Sequence, residues 1–294
     1  MPDGQKPSAG AARIVDLLDL GAGYLSGAVE MPRREAARLL GEVLGLEEAQ
    51  VYARSDEDVP EPAEVSYGQL IRRRADRVPM AYLVGRREFY GRSFEVDPRA
   101  LVPRPETEHL VEATLECVGA GTGTGVRMLD LGTGSGCIAI TVALERPDAS
   151  VVATDLSLGA LAVAASNCRR HDVDGRVRLV RADLLSALRL QAFDVVVSNP
   201  PYIDIGEWHS LMPEVRDHEP PEALFAGDGL DFYRRLFGAG ELFAAGQRLL
   251  VEIGKGQLDA VRELAVRGGF EVEAVVLDLA AIARVVRLRR RRRG

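Results

Sequence analysis

Four residues at the end of an apolar run, Asn199-Pro200-Pro201-Tyr202, have the makings of a seat for a planar amino group. Two prolines in series fix both φ angles and remove two N–H donors. What remains to face a ligand is rich in acceptors: the Asn199 side-chain oxygen and the Pro200 carbonyl. Each can take one N–H of an –NH2 group, and Tyr202 can cover the plane of that group. Such a corner answers a particular chemical difficulty. An amide nitrogen is a poor nucleophile, because its lone pair is delocalised into the carbonyl. Its protons are too weakly acidic for an ordinary side-chain base to remove first. Two fixed acceptors favour the positive charge that develops on nitrogen during attack on a sulfonium methyl. Holding the reacting atoms in line supplies the rest. No nucleophilic serine or cysteine and no metal is required. A rigid turn closing a strand would carry the same four letters, so the reading depends on what lies upstream.

Upstream, LDLGTGSG (129–136) stands between an apolar run and a helical segment. Gly132, Gly134 and Gly136 allow a tight turn and a close approach of backbone to ligand. A dinucleotide fingerprint requires a third glycine where Cys137 stands. G-x-G-x-G behind the acidic Asp130 suits S-adenosylmethionine better, since that molecule has no pyrophosphate to cradle. Asp155 closes the next strand, where a carboxylate can accept from both ribose hydroxyls. Asp183 closes the one after, where either its side chain or the backbone amide of Leu184 is placed to meet the adenine edge. Turn glycines and strand-end caps alone look the same. Their coincidence at successive strand ends, upstream of NPPY, favours a site that methylates an amino group.

These residues need a frame. VRMLDL (126–131), SVVATD (150–155), RVRLVRAD (176–183), FDVVVSN (193–199) and RLLVEI (248–253) read as strands, separated by helices near 136–146, 157–170 and 229–245. Short, nearly continuous apolar strands between helices indicate a parallel sheet covered on both faces. FEVEAVVLD and ARVVRL fit an antiparallel edge. Before the sheet, residues 86–97 alternate around Gly91 and predict a β-hairpin bridging two domains. Residues 11–54 show two apolar stripes at helical spacing, the second helix opening at Pro32 and closing at Gly45. DEDVPEPAE (56–64) reads as a loop and 65–77 as a third helix. GAGTGTG (119–125) follows a helix rather than a strand, so it reads as a flexible linker.

Composition narrows the classes. Of 294 residues, 47% are hydrophobic, so a packed core is expected, and a net charge of -7 argues against a surface built to grip nucleic acid. Cys117, Cys137 and Cys168 form no C-x-x-C pair, and the four histidines lie without ligand spacing; neither a metal nor a disulfide framework is expected. The cysteines read as packed or surface thiols. No signal-peptide-like or membrane-spanning run is seen, which sets a cytoplasmic expectation.

The chain also resembles the HemK/PrmC family of glutamine methyltransferases that act on peptide-chain release factors. The resemblance rests on VPMAYLVGRREFYGRSFEVD, LVPRPETEHLVE, LDLGTGSGCIAI, SNPPYI, EVRDHEPPEALFAGDGLDFYRRL and LVEIGKGQ. It runs from about residue 11 to about residue 288. It implies a class I S-adenosylmethionine-dependent methyltransferase fold, α/β and Rossmann-like, with a mostly parallel seven-stranded sheet. With the termini read from composition, the expected layout is a disordered N-terminus (1–10), a helical substrate-recognition domain (11–80), a hairpin linker (81–100), a catalytic domain (101–288) and a basic tail (289–294). The implied reaction converts the glutamine of a Gly-Gly-Gln motif in class 1 release factors to N(5)-methylglutamine, with S-adenosylhomocysteine as by-product. Carried over by position, Gly132, Thr133, Gly134, Ser135, Gly136, Asp155, Leu184 and Asn199 contact the cofactor. Asn199, Pro200, Pro201 and Tyr202 hold the glutamine amide, with Asn199, Pro200 and Tyr202 as the catalytic set.

Arg104 and Glu106 either shape that pocket or pair structurally, and Trp208 and His209 either line its mouth or form a surface loop. DLAAIARVV (278–286) lacks a glycine expected in the turn before the final strand, and Leu184 stands where some relatives carry an aromatic residue. The arginines of RLRRRRRG read as a solvated, disordered tail. Ribosomal-protein glutamine methylation and methylation of a nucleobase amine are the alternatives. A monomer with no direct nucleic-acid or membrane partner is expected.

Overall fold

The computed structural model describes residues 12–119, 125–186 and 188–292. The expected disordered N-terminus, residues 1–10, and most of the glycine linker at 119–125 lie outside them. The chain forms two compact units, 1–84 and 85–294.

The first unit is helical: α1 (Ile14–Leu25), α2 (Pro32–Leu44), α3 (Glu48–Ala53), α4 (Glu61–Ala75) and α5 (Met80–Val84). Pro32 opens α2 and Gly45 ends it in the left-handed conformation, as the sequence predicts. The third predicted helix is corrected in extent. It begins at Glu61, inside the segment read as a loop, because Pro60 caps it and Pro62 sits in its first turn, where no N–H is needed. The short α3 and α5 escaped the sequence reading, being too brief to show a period. Leu17, Leu18, Leu39, Leu40 and Val51 build a core of their own. Inside it the Tyr67 hydroxyl donates to the Leu17 carbonyl (3.1 Å), and the buried Arg74 guanidinium is paired with Glu35.

The second unit opens with a hairpin, β1 (Arg86–Phe89) and β2 (Arg92–Glu95). Tyr90 and Gly91 both take positive φ at its turn, the geometry that matches strand twist. Phe89 and Phe94 are buried in this unit's core, each side chain contributing about 1.5–3 kcal/mol by its removal from water.

The sheet follows: β3 (Arg127–Leu131), β4 (Ser150–Asp155), β5 (Val177–Arg181), β6 (Val195–Ser198), β7 (Arg248–Glu252), β8 (Phe270–Leu277) and β9 (Ala283–Arg290). Its strand order is β5-β4-β3-β6-β7-β9-β8, parallel through β7 and antiparallel beyond. Helices α6 (Glu108–Val118), α7 (Cys137–Glu145) and α8 (Leu158–Arg170) flank one face. A short α9 (Pro213–His218) precedes α10 (Asp231–Gly238) and α11 (Leu258–Arg267), which cover the other. Alternation along the strands divides the core accordingly. Met128, Val195, Val197 and Leu250 face one layer, and Leu129, Val196, Leu249 and Val251 the other.

Two details revise the sequence reading. Arg289 and Arg290 do not begin a disordered tail, for they pair within β9, opposite Arg248 and Phe270, and Arg289 is bridged to Glu271 and Glu273. A run of arginines can therefore finish a strand when carboxylates line the adjacent one. The missing glycine of 278–286 shows as strain: Ala281 takes φ +59°, held by Asp278, whose carboxylate accepts from the Ala280 and Ile282 amides at 2.9 Å each. Cys137 and Cys168 are packed and Cys117 is partly buried.

Candidate active site

Register brings the site to one level. Leu131 pairs with Thr154 on one side and Ser198 on the other, and Ser198 pairs with Val251. The next residues along these four strands are Asp155, Gly132, Asn199 and Glu252, a single row across the carboxyl ends. Between β3 and β6 the strand order reverses direction, the switch point where open α/β sheets leave a crevice.

A cavity of about 490 Å³ fills that crevice. Gly132 (φ +73°) and Gly134 (φ +57°) line it, and a Cβ on either would project into open space. The other three loop residues hold the loop instead. The Thr133 hydroxyl donates to Asp130 Oδ2 (2.7 Å), and the Ser135 carbonyl accepts from Asn167 Nδ2 (2.9 Å). A Cβ on Gly136 would meet Ile140 Cδ1 at 3.0 Å and Ala164 Cβ at 3.2 Å, so this glycine lets α7 pack on α8. Asn167, fully buried, also pairs with both backbone groups of Glu95 and so ties the hairpin to the loop.

Asp155 is fixed by two backbone donors, Gly134 N–H on Oδ2 and Ser157 N–H on Oδ1, both 2.9 Å. Each oxygen retains a second lone pair, which suits a pair of adjacent hydroxyls. Asp183 lies at the cavity wall, its carboxylate bridged to Arg235 at 2.7 Å. Leu184, at φ +54°, turns the chain beside it. Phe232 supplies an aromatic wall that the sequence reading did not single out. Beneath the loop, buried Asp130 keeps one oxygen, Oδ1, without a hydrogen-bond partner among the described residues. Burial pushes its carboxyl up to about 7. Size, open glycines, the ribose-ready carboxylate and an unsatisfied acid beneath fit S-adenosylmethionine, an adenosine carrying two cationic groups.

A second cavity of about 280 Å³ adjoins the first, sharing Leu101, Asn199 and Ala223. Pro200 and Tyr202 line it, while Pro201 faces the larger one. NPPY is thus the partition between two chambers, and Asn199 belongs to both. The Asn199 amide donates through Nδ2 to Thr107 Oγ1 (3.0 Å), which places Oδ1 on the opposite side of the amide. Tyr202 donates through its hydroxyl to Glu252 Oε1 (3.4 Å), and its carbonyl accepts from Gln257 Nε2 (2.8 Å). Burial, with Glu252 nearby, pushes the Tyr202 phenol well up, so it stays protonated.

The open alternatives of the sequence reading resolve as follows. Arg104 lines the second cavity and is also paired: its guanidinium meets the buried Glu219 carboxylate at 2.6 Å, and Glu219 further accepts the Val102 amide (3.2 Å). This pair clamps LVPRPETE to EPPEAL. Trp208 lines neither cavity but packs, tilted, against Phe225 (5.2 Å), itself a wall of the larger one, and His209 is exposed.

Sequence reasoning missed Thr107, Glu219, Glu252 and Gln257. One signal was present for Glu252, a lone acid in the apolar run RLLVEI. Gln257 joins Tyr202 to the Gly229 carbonyl (3.2 Å), and a Cβ on Gly229 would collide with the Tyr202 carbonyl at 2.7 Å. Among the described residues no helix is long and apolar enough to cross a membrane.

A seven-stranded sheet with a nucleoside-sized cavity at its switch point, partitioned by NPPY, defines an S-adenosylmethionine-dependent methyltransferase. The comparisons agree. The Methyltransferase small domain family matches residues 110–213, and the PrmC N-terminal domain family matches residues 16–85. A release factor glutamine methyltransferase of Geobacter sulfurreducens is 41% identical over 96% of this chain and 98% of its own. One from Neisseria gonorrhoeae is 42% identical over 88% and 94%. The crystal structure of a methyltransferase from Pyrococcus furiosus superposes with a TM-score of 0.51 at 19% identity, over 69% of this chain and 91% of its own, which speaks for the fold alone. The chain belongs to the release factor glutamine methyltransferase family.

Proposed function

We propose that this chain methylates the side-chain amide nitrogen of the glutamine in the Gly-Gly-Gln motif of class 1 release factors, acting in the cytoplasm as a monomer. The observation that carries the reading is Asn199, a wall of both the nucleoside-sized chamber and the smaller acceptor-lined one. Bound S-adenosylmethionine supplies a methyl group on a sulfonium, an electrophile that an amide nitrogen can displace from sulfur.

The rest of the work falls to the protein. Gly132 and Gly134 leave room for the ligand, and Asp155 takes the ribose hydroxyls. Asp183, Leu184 and Phe232 close around the adenine. In the smaller chamber, Asn199 Oδ1 and the Pro200 carbonyl each accept one N–H of the glutamine amide, and Tyr202 covers its plane. The acceptors are fixed before the substrate arrives, so they stabilise the cationic nitrogen without having to reorganise. The proton then departs to solvent. Thr133, Ser135 and Gly136 support the loop from behind, and Pro201 closes the larger chamber.

The test is incubation with labelled S-adenosylmethionine and either a class 1 release factor, a ribosomal-protein fraction, or bulk RNA and DNA. Mass spectrometry of the Gly-Gly-Gln peptide should show one added methyl on the glutamine side chain. Label in ribosomal protein or nucleic acid alone would refute the reading.

A further inference from the structure

The smaller chamber sets one cation among apolar walls. Leu101, Ile203, Met212, Val215 and Leu224 line it, and Arg104 stands with them. A guanidinium carries five N–H donors in a fixed plane. Among the described residues Arg104 spends only Nη2, on Glu219 Oε1 at 2.6 Å, and Nε and Nη1 hydrogen-bond to none of them. Glu219 holds that arm firmly. Its side chain is 1% exposed, and its other oxygen accepts the Val102 amide at 3.2 Å. The Arg104 side chain is 29% exposed, so it extends between a sealed carboxylate and solvent. A planar fork anchored at one arm, with donors unused on the others, is equipped to recognise a ligand as well as to clamp two loops.

The pair also limits what those donors can take. The charges of Arg104 and Glu219 cancel at contact distance, so a neutral acceptor suits them better than a carboxylate. The oxygen of the reacting amide is the wrong neutral acceptor. A cation there would draw the lone pair further off the nitrogen, the opposite of what attack on the methyl group requires. With its side chain in the chamber, a glutamine residue has main-chain carbonyls left to offer, its own and that of the residue before it. We propose that Arg104 binds the substrate by donating through Nε or Nη1 to a main-chain carbonyl of the Gly-Gly-Gln segment. The inference rests on the amide-methylating reading above and extends it from the glutamine side chain to the peptide that carries it. The main chain gains no charge during transfer, so this bond is as strong before the transition state as in it. It serves binding rather than rate.

The test measures kcat and KM for a class 1 release factor with full-length wild type, Arg104→Lys and Arg104→Gln, at saturating S-adenosylmethionine. A lysine can keep the ion pair with Glu219, but it is a single point charge with no second arm for the substrate. Arg104→Lys should therefore melt within a few degrees of wild type. It should still raise KM about 10- to 100-fold, the weight of one charge-assisted hydrogen bond, with kcat at saturation kept within about threefold. Arg104→Gln should raise KM at least as far. Affinity for S-adenosylhomocysteine, measured by calorimetry, should stay the same in both. A clamp with no ligand gives another pattern: Arg104→Lys behaves as wild type, and only Arg104→Gln suffers, in step with its lower Tm. Wild-type KM in Arg104→Lys overturns the inference. So does a fall in kcat with KM unchanged, which would put the guanidinium on the reacting amide. Wild type inert toward the release factor overturns the underlying reading instead.

Discussion

The two chambers are built from different materials. The larger one opens over backbone: two glycines whose missing Cβ atoms leave it room, and Asp155, whose carboxylate is held by the amides of Gly134 and Ser157. The smaller one is shaped by side chains arriving from four distant segments: Arg104 and Thr107, Asn199 to Tyr202, Glu219, and Glu252. A backbone cradle recognises a ligand by leaving space, and tolerates change behind it. A side-chain corner recognises by the direction of each hydrogen bond, so it depends on a second layer that holds those directions. The two should therefore fail differently under mutation.

The largest effect is expected at the partition. Asn199→Ala should lower kcat by about 10²–10³ while S-adenosylhomocysteine affinity changes only a few-fold, because the lost acceptor matters most as charge develops on nitrogen. Single-turnover kinetics beside calorimetric titration would separate the two; a large affinity loss with intact kcat would place Asn199 in the wrong chamber. Asp155→Ala should do the reverse. It removes a charged acceptor for the ribose hydroxyls, a loss of about 1.5–3 kcal/mol, and should weaken cofactor binding about 10- to 100-fold with kcat at saturation largely kept.

Asp130→Asn probes the layer beneath the cradle. The folded-state pKa of Asp130 is raised from 3.8 to about 7, so its favourable contribution is complete below 3.8 and is lost as pH climbs through about 7. Removing the charge should stabilise the protein by about 1–3 kcal/mol near pH 8, with the gain shrinking toward about pH 4. Thermal melts across that range check the sign; an unchanged or falling Tm at pH 8 would mean the acid is already compensated. The smallest effect is remote from both chambers. Ala281→Gly relieves the positive φ before β9 and should stabilise by about 0.5–1 kcal/mol, leaving transfer unaffected.

The same contrast governs what could be read in advance. Gly132, Gly134, Asp155 and the NPPY partition were legible because each sits at the end of its own apolar strand, and local pattern marks a strand end. Gly136 was legible as a glycine but not in its role, since its neighbour Ala164 comes from another helix. The Arg104–Glu219 clamp spans 115 residues of chain, and no local pattern announces such a pair. The strand nature of Arg289 and Arg290 was hidden for a similar reason, because the carboxylates that neutralise them belong to β8.

What the amino-acid sequence determined by itself is the list of parts: a strand–glycine–helix cradle, a proline-stiffened acceptor corner, and helices ahead of a parallel sheet. Those follow from local conformational preference and from periodicity, which act over a few residues. Only the tertiary structure decided that β7 lies beside β6, and hence that Glu252 stands behind Asn199 rather than anywhere else. Strand order is settled by burial of whole layers, a property of the folded chain.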